Sequence, residues 1–174
     1  MTKSSLVKIL SGEWSGAGTG EYPTIEPFEY QESLRFTPDE TRPLIHYEQK
    51  TRRRNSEQAE FIPSHWETGF IELLPDNRVE VANAQGGGRV EVLTGTIESA
   101  PAGLVFRLRS SHIANDPRLQ ETTRTVTVVG DVLRYDMYMQ TTAVPTFSGP
   151  HHCTLRRHSK DNRENRFLPY WRKQ

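Results

Sequence analysis

The fold of this chain is decided by Gly12-Glu13-Trp14-Ser15-Gly16-Ala17-Gly18-Thr19-Gly20-Glu21-Tyr22-Pro23-Thr24-Ile25. Glycines at 16, 18 and 20 alternate with other residues, and alternate residues of a strand face the same side. Three consecutive positions on one face therefore lack a side chain, which is typical of a strand whose backbone is closely approached by a second strand, a bend or a ligand. Pro23 then fixes its own φ, removes a donor and favours an extended Tyr22.

After Gly12, short alternating runs separated by turn residues continue to about residue 157, and this pattern predicts an all-β fold. We expect ten strands, near residues 12–20, 28–36, 43–52, 64–74, 78–84, 90–97, 104–109, 123–128, 133–139 and 152–157. An even number of antiparallel strands with short turns favours an up-and-down barrel, because closure removes exposed edges. Ten strands also enclose a cavity wider than an eight-stranded barrel needs for its own side chains.

Three local features complete the predicted barrel. Ser4 or Ser5 is placed to cap a short N-terminal helix of one or two turns. Residues 51–58 contain the triplet Arg52-Arg53-Arg54 and are predicted to form a charged loop, with contact to an anion as the alternative. In the sixth strand, Val90 and Val92 share one face, with Ile97 beyond.

Composition limits the classes of function. A length of 174 residues suits one domain with a sizeable core. Zero formal net charge argues against a chain whose whole surface binds nucleic acid. Residues 156–174 contain seven Lys or Arg and two Asp or Glu. We therefore expect a barrel domain over 1–158 and a basic extension over 159–174, which is either a solvated end or a docking element.

The single cysteine, Cys153, excludes an intrachain disulfide and favours a reducing compartment. The sequence contains no pattern of a signal peptide or a transmembrane span, so we expect a cytoplasmic protein without a membrane partner. The expected partner is a small molecule in the barrel cavity, and no nucleic acid. Whether the barrel forms a homodimer stays open.

Four segments resemble the nitrobindin family. Residues 12–25 resemble its GxWxGxGxGxYPTI signature, 27–32 its PFxYxE segment, 65–70 its HxETGF segment and 84–92 its central hairpin. The resemblance covers roughly residues 6–158 in the family's order. It implies a lipocalin-like and fatty-acid-binding-protein-like barrel that holds ferric haem b. It also implies nitric oxide binding and an enzyme activity that isomerises peroxynitrite to nitrate.

The resemblance also suggests residues near the haem. Tyr22, Pro23, Thr24 and Ile25 match the signature loop, which approaches the cofactor in the family, although turn formation alone also explains them. His65 matches the histidine of the HxETGF segment, which lies beside the cavity.

Met137 and Met139 form a soft apolar stripe with Tyr135 in the ninth strand. Such a stripe suits a cavity wall, although it is more often part of an ordinary core.

The axial iron ligand is the point where this sequence departs from the family. The family's last strand resembles HLxAxLxR, and its axial position falls on Pro150 here, or on Gly149 when counted from Met139. Either His151 or His152 is then axial, with a bulge in the last strand, or the chain is a member without the axial histidine. In the second case the cavity holds an apolar, lipid-like molecule and catalyses nothing.

Overall fold

A computed structural model describes residues 3–100 and 103–158; the predicted extension 159–174 lies outside the described residues. The elements are α1 (Lys3–Leu10), β1 (Gly12–Tyr22), β2 (Ile25–Pro38), β3 (Leu44–Arg54), β4 (Ile62–Leu73), β5 (Arg78–Gln85), β6 (Val90–Ala100), β7 (Gly103–Ala114), β8 (Leu119–Val129), β9 (Val132–Thr141) and β10 (Ser148–Arg157). Each strand pairs antiparallel with its neighbours in the chain, and β1 pairs with β10 to close the barrel. This confirms the predicted ten-stranded barrel. Within the described ranges, no helix is long and apolar enough to cross a membrane.

The glycine-rich strand β1 lies between β2 and β10, and its glycine face points inward. A Cβ added at Gly16 would lie 1.9 Å from the carbonyl oxygen of Thr154, and one at Gly18 would lie 2.1 Å from that of His152. No side chain fits at these distances. The approaching group that the alternating glycines predict is therefore mainly the neighbouring strand β10.

Helix α1 packs on the barrel core at the end where β1 begins. Leu10 and Trp14 are buried, and Trp14 Nε1 donates a 2.9 Å hydrogen bond to the carbonyl of Leu10. The guanidinium of Arg157, at the end of β10, donates to the carbonyls of Ile9 and Ser11. These bonds satisfy carbonyl groups that the end of a helix leaves without partners.

Several strands extend beyond their predicted ends, and two of the predicted local features are wrong. The helix begins at Lys3, so Ser4 and Ser5 lie within its first turn instead of before it. The loop predicted over 51–58 is wrong in its first half, because β3 runs to Arg54. Arg54 stands opposite Glu29 of β2 and pairs with its carboxylate at 2.7 Å, and this pairing extends the strand.

The residues of β6 that point inward are also not the ones that its apolar pattern suggests. Val90 is 39% exposed, whereas Glu91 and Leu93 are fully buried. Ile97 is buried on the face of Glu91, so it does not continue the face of Val90. The buried Glu91 is stabilised by a cationic partner inside the barrel, described below.

Candidate functional site

The barrel encloses a cavity of about 370 Å³. Its walls are mainly apolar and include Phe28, Leu108, Val126, Leu133, Met137 and Met139. Three lining residues, His65, Met139 and His151, belong to the strand ends that lie opposite α1. The cavity volume is within the range of small-molecule and cofactor sites.

His151 is turned into this cavity. The pairing of β10 with β9 shifts between Ser148, which opposes Met139, and His151, which opposes Met137. An advance of three residues along β10 thus matches an advance of two along β9. This is the pattern of a β-bulge, which changes the direction of the following side chain. The imidazole ring lies 5.6 Å from the Phe28 ring, and its Nε2 is buried without a hydrogen-bond partner in the described part of the chain. Burial lowers the pKa of His151, and the nearby His65 lowers it further.

His152 faces the opposite way, because successive residues of a strand point to opposite faces. Its side chain is exposed, and Nδ1 lies 2.6 Å from the Oδ1 atom of Asp136 on the neighbouring strand. Of the two candidate iron ligands, the structure therefore brings only His151 together with His65, Met137 and Met139 in the cavity wall.

A buried ion cluster lies deeper in the barrel. Arg124 donates to Glu67 at 2.9 and 3.3 Å and to Glu91 at 2.8 Å. Glu67 also accepts from the hydroxyl of Tyr47, and Glu91 from that of Thr122. Buried charges are tolerated when they are paired and hydrogen-bonded in this way.

The cluster fixes the charge states of its members. Burial raises the pKa of Glu67, but Arg124 and the hydrogen bonds from His65 and Tyr47 outweigh it and hold the pKa well below its usual range. Burial lowers the pKa of Arg124, but Glu67 and Glu91 raise it well above normal. Nε2 of His65 lies 3.4 Å from Glu67 Oε2, so the cluster reaches the cavity wall near His151.

A second set of polar side chains surrounds Glu32, which is buried, with 4% of its surface exposed. The hydroxyl of Tyr135 donates to Glu32 Oε2 at 2.5 Å and lies 3.1 Å from the hydroxyl of Tyr30. Burial raises the pKa of Glu32 from 4.5 to about 7, against the lowering effect of the Tyr135 hydrogen bond. The raised pKa favours the neutral carboxylic acid form of Glu32.

Residues 5–157 match the model of the THAP4-like, heme-binding β-barrel domain. The chain belongs to this family. Its haem-binding description supports haem as the cofactor or ligand of the barrel, and the match confirms the resemblance to nitrobindins.

The relatives of this chain agree with the family assignment. The chain is 38% identical over 139 residues to an Arabidopsis thaliana protein named peroxynitrite isomerase Rv2717c. The matched region covers 80% of each chain. The chain is 34% identical over 153 residues to the peroxynitrite isomerase of Nocardia farcinica, which covers 85% of this chain and 86% of the relative.

Solved structures agree on the fold. The crystal structure of Rv2717c from M. tuberculosis matches with a TM-score of 0.80 at 28% identity, over 91% of this chain and 99% of that one. An S-type phycobiliprotein lyase from Guillardia theta, with a TM-score of 0.63 at 11% identity, shares the fold alone.

The signature loop of this family member lies at the rim of the barrel. Tyr22 ends β1, and its hydroxyl lies 2.9 Å from Thr141 Oγ1. Pro23, Thr24 and Ile25 are exposed, and none of the residues 22–25 lines the cavity. Gly20 pairs with His151, so the loop stands at the same end of the barrel as this histidine.

Sequence reasoning missed the buried cluster of Arg124, Glu67 and Glu91. The signal for Arg124 was present, because it alternates with Val126 and Val128 and therefore shares their inward face. Glu67 likewise alternates with Gly69 and Ile71, whereas the large aromatic Trp66 points outward and is 56% exposed. A charged residue in register with apolar neighbours indicates a buried partner.

Proposed function

We propose that this barrel holds ferric haem b, and that the loaded protein binds nitric oxide and isomerises peroxynitrite to nitrate. The main support is the buried Nε2 of His151, which has no hydrogen-bond partner among the described residues and lies in an apolar-walled cavity. The family's haem-binding description supports the cofactor, and the relatives named peroxynitrite isomerase support the reaction.

The residues present fit a haem. Neutral imidazole is the usual protein ligand of haem iron. The lowered pKa of His151 favours this neutral form at physiological pH. An unpartnered buried nitrogen is costly unless a ligand satisfies it, and a metal ion is such a ligand. We therefore propose His151 as the axial residue.

The walls near His151 suit a flat apolar cofactor. Phe28 offers an aromatic ring beside the imidazole, and Met137 and Met139 are flexible thioethers that adapt to irregular shapes. A Cβ at Gly20 would lie 2.3 Å from the Phe28 ring, so the bare backbone of Gly20 makes room for these groups. His65 completes the wall on the β4 side.

When bound, the haem iron supplies Lewis-acid and oxygen-transfer chemistry. The residues of this chain hold and orient the cofactor. Peroxynitrite and nitrate contain the same atoms, so the reaction needs no second substrate. The proposal includes a cytoplasmic, reducing setting, which the single, buried thiol of Cys153 supports.

A hemin titration of the purified protein tests this function. We expect a saturable one-to-one shift of the visible spectrum to a histidine-ligated ferric species, followed by a further shift with nitric oxide. Stopped-flow mixing with peroxynitrite should then show faster decay and a higher yield of nitrate than hemin alone gives. A spectrum of free or stacked hemin at every ratio would overturn the proposal and favour an apolar ligand without iron.

A further inference from the structure

We infer that Arg53 is an anion-binding residue at the open end of the cavity, and that it holds a planar oxyanion of the ligand. Two sources share this chemistry, a carboxylate of the haem and the nitrogen oxyanion that reacts with it. The identity of both sources rests on the proposed function. The observation that the Arg53 guanidinium is free does not depend on that function.

The three adjacent arginines differ in their hydrogen-bond partners. Arg52 donates to the carbonyl of Phe61 at 2.6 Å, and Arg54 donates to Glu29 at 2.7 and 2.9 Å. The side chain of Arg53 forms no hydrogen bond or ion pair with any residue of 3–100 or 103–158. One of three adjacent guanidinium groups thus keeps its full binding capacity.

Arg53 also points to a different face from its neighbours. It stands directly opposite Tyr30 in the β2–β3 pair, and paired residues of a ladder share a face. Tyr30 and Thr51 both line the cavity. Arg53 is the next inward position after Thr51, toward the end of the barrel opposite α1.

The guanidinium of Arg53 contacts the same aromatic ring as the candidate iron ligand. Its Cζ lies 5.6 Å from the centroid of the Phe28 ring, and the same ring lies 5.6 Å from that of His151. A cation–π contact positions a guanidinium without neutralising its charge. Phe28 therefore contacts both the Arg53 cation and the His151 ring.

Among the described residues, both arginines that line the cavity lie beside carboxylates, unlike Arg53. Both terminal nitrogens of Arg124 are used by Glu67 and Glu91. Arg89 also lines the cavity, but the carboxylate of Asp116 lies 3.6 Å from its Nη1. The positive charges inside are thus offset by carboxylates, so an amphipathic ligand would place its apolar part inside and its anionic end at the unpaired guanidinium of Arg53. The planar fork of arginine matches carboxylate and nitrogen oxyanions with two parallel hydrogen bonds.

The first experiment needs no haem. Sodium nitrate is titrated into the haem-free protein at constant ionic strength, and the amide and arginine side-chain signals are followed by NMR. We expect saturable shifts at Arg53 and Phe28 that disappear in Arg53→Gln. Arg52→Gln removes the same charge from the adjacent outward position and should keep them. Absence of saturable shifts in the wild type, or equal loss in both variants, would overturn the inference.

The second experiment identifies the source of the anion. Hemin and its dimethyl ester, which lacks the negative carboxylates, are titrated into the wild type and both variants. If a haem carboxylate is the ligand, Arg53→Gln should weaken hemin binding by about tenfold and leave ester binding unchanged. If the reacting oxyanion is the ligand, Arg53→Gln should instead slow association of nitrite with the loaded protein, and association of neutral nitric oxide should not change.

The two proposals fail in different ways. A wild type that binds neither hemin nor the ester contradicts the haem function, while the nitrate titration still decides the role of Arg53. A wild type that binds hemin, with Arg53→Gln equal to Arg52→Gln in every titration, contradicts the role of Arg53 and leaves the haem function intact.

Discussion

Gly20 lies directly opposite His151 in the β1–β10 pair, and a Cβ at Gly20 would lie 2.9 Å from His151 Nδ1. The same added atom would lie 2.3 Å from the Phe28 ring. Gly20 of β1 therefore makes room for His151 of β10. The strand pair that closes the barrel also shapes the proposed iron site.

Gly20→Ala should displace the Phe28 or His151 ring, because the methyl group has no free space. We expect hemin affinity to fall by about tenfold, in line with the roughly 1–3 kcal/mol cost of overpacking. Thr19→Ala, at the adjacent exposed position, should leave affinity unchanged. A spectroscopic titration of both variants checks this, and equal affinities would contradict the shared role of Gly20 and His151.

Arg124→Met should destabilise the barrel strongly, because it leaves the buried carboxylates of Glu67 and Glu91 unpaired. Breaking a buried pair costs about 3–5 kcal/mol. Arg107→Met is the control, since its pair with Glu98 is more than half exposed and worth at most about 1 kcal/mol. Urea unfolding measures both free energies, and similar losses would contradict the structural role of the cluster.

Glu32→Gln should become increasingly stabilising as pH rises. The folded pKa of Glu32 is raised from 4.5 to about 7, so between these values the unfolded chain releases a proton that the folded chain keeps. The wild type therefore loses stability as pH rises through this window, and the amide variant does not. The difference in unfolding free energy should grow by about 2–3 kcal/mol from about pH 5 to about pH 8. A constant difference would show that the folded pKa of Glu32 is not raised.

Arg157→Gln should weaken the attachment of α1. Its guanidinium donates to the carbonyls of Ile9 and Ser11 and lies 4.3 Å from the Trp14 ring. Loss of these charge-assisted contacts should lower the unfolding free energy by about 2–3 kcal/mol. Arg156→Gln, one exposed position away, should have little effect. Equal hydrogen-exchange protection of Trp14 Nε1–H in both variants would argue against this role.

The barrel was predictable from the sequence because its signals are local. Alternation within runs of six to ten residues and turn residues such as Gly130 and Asp131 are both visible without knowing the partner strands. The direction of His151 was not visible. It depends on the register shift between Ser148 and His151, and therefore on how β9 and β10 align.

The polar interior was hidden for a related reason. Apolarity alone favours Val90 as an inward residue of β6, yet Glu91 is inward because Arg124, two strands away, compensates its charge. Arg53 was assigned to a loop because three adjacent arginines are usually solvated. Pairing with β2 instead extends β3 and turns Arg53 to the cavity side. In each case the deciding partner is distant in sequence.

The most direct test of the central claim is hemin binding by two single variants, His151→Ala and His152→Ala. The two histidines are adjacent, but one lines the cavity and the other pairs with Asp136 on the outer face. We expect His151→Ala to lose the histidine-ligated ferric spectrum and His152→Ala to keep it with unchanged affinity. An unchanged spectrum in His151→Ala would contradict His151 as the iron ligand, and with it the haem site described here.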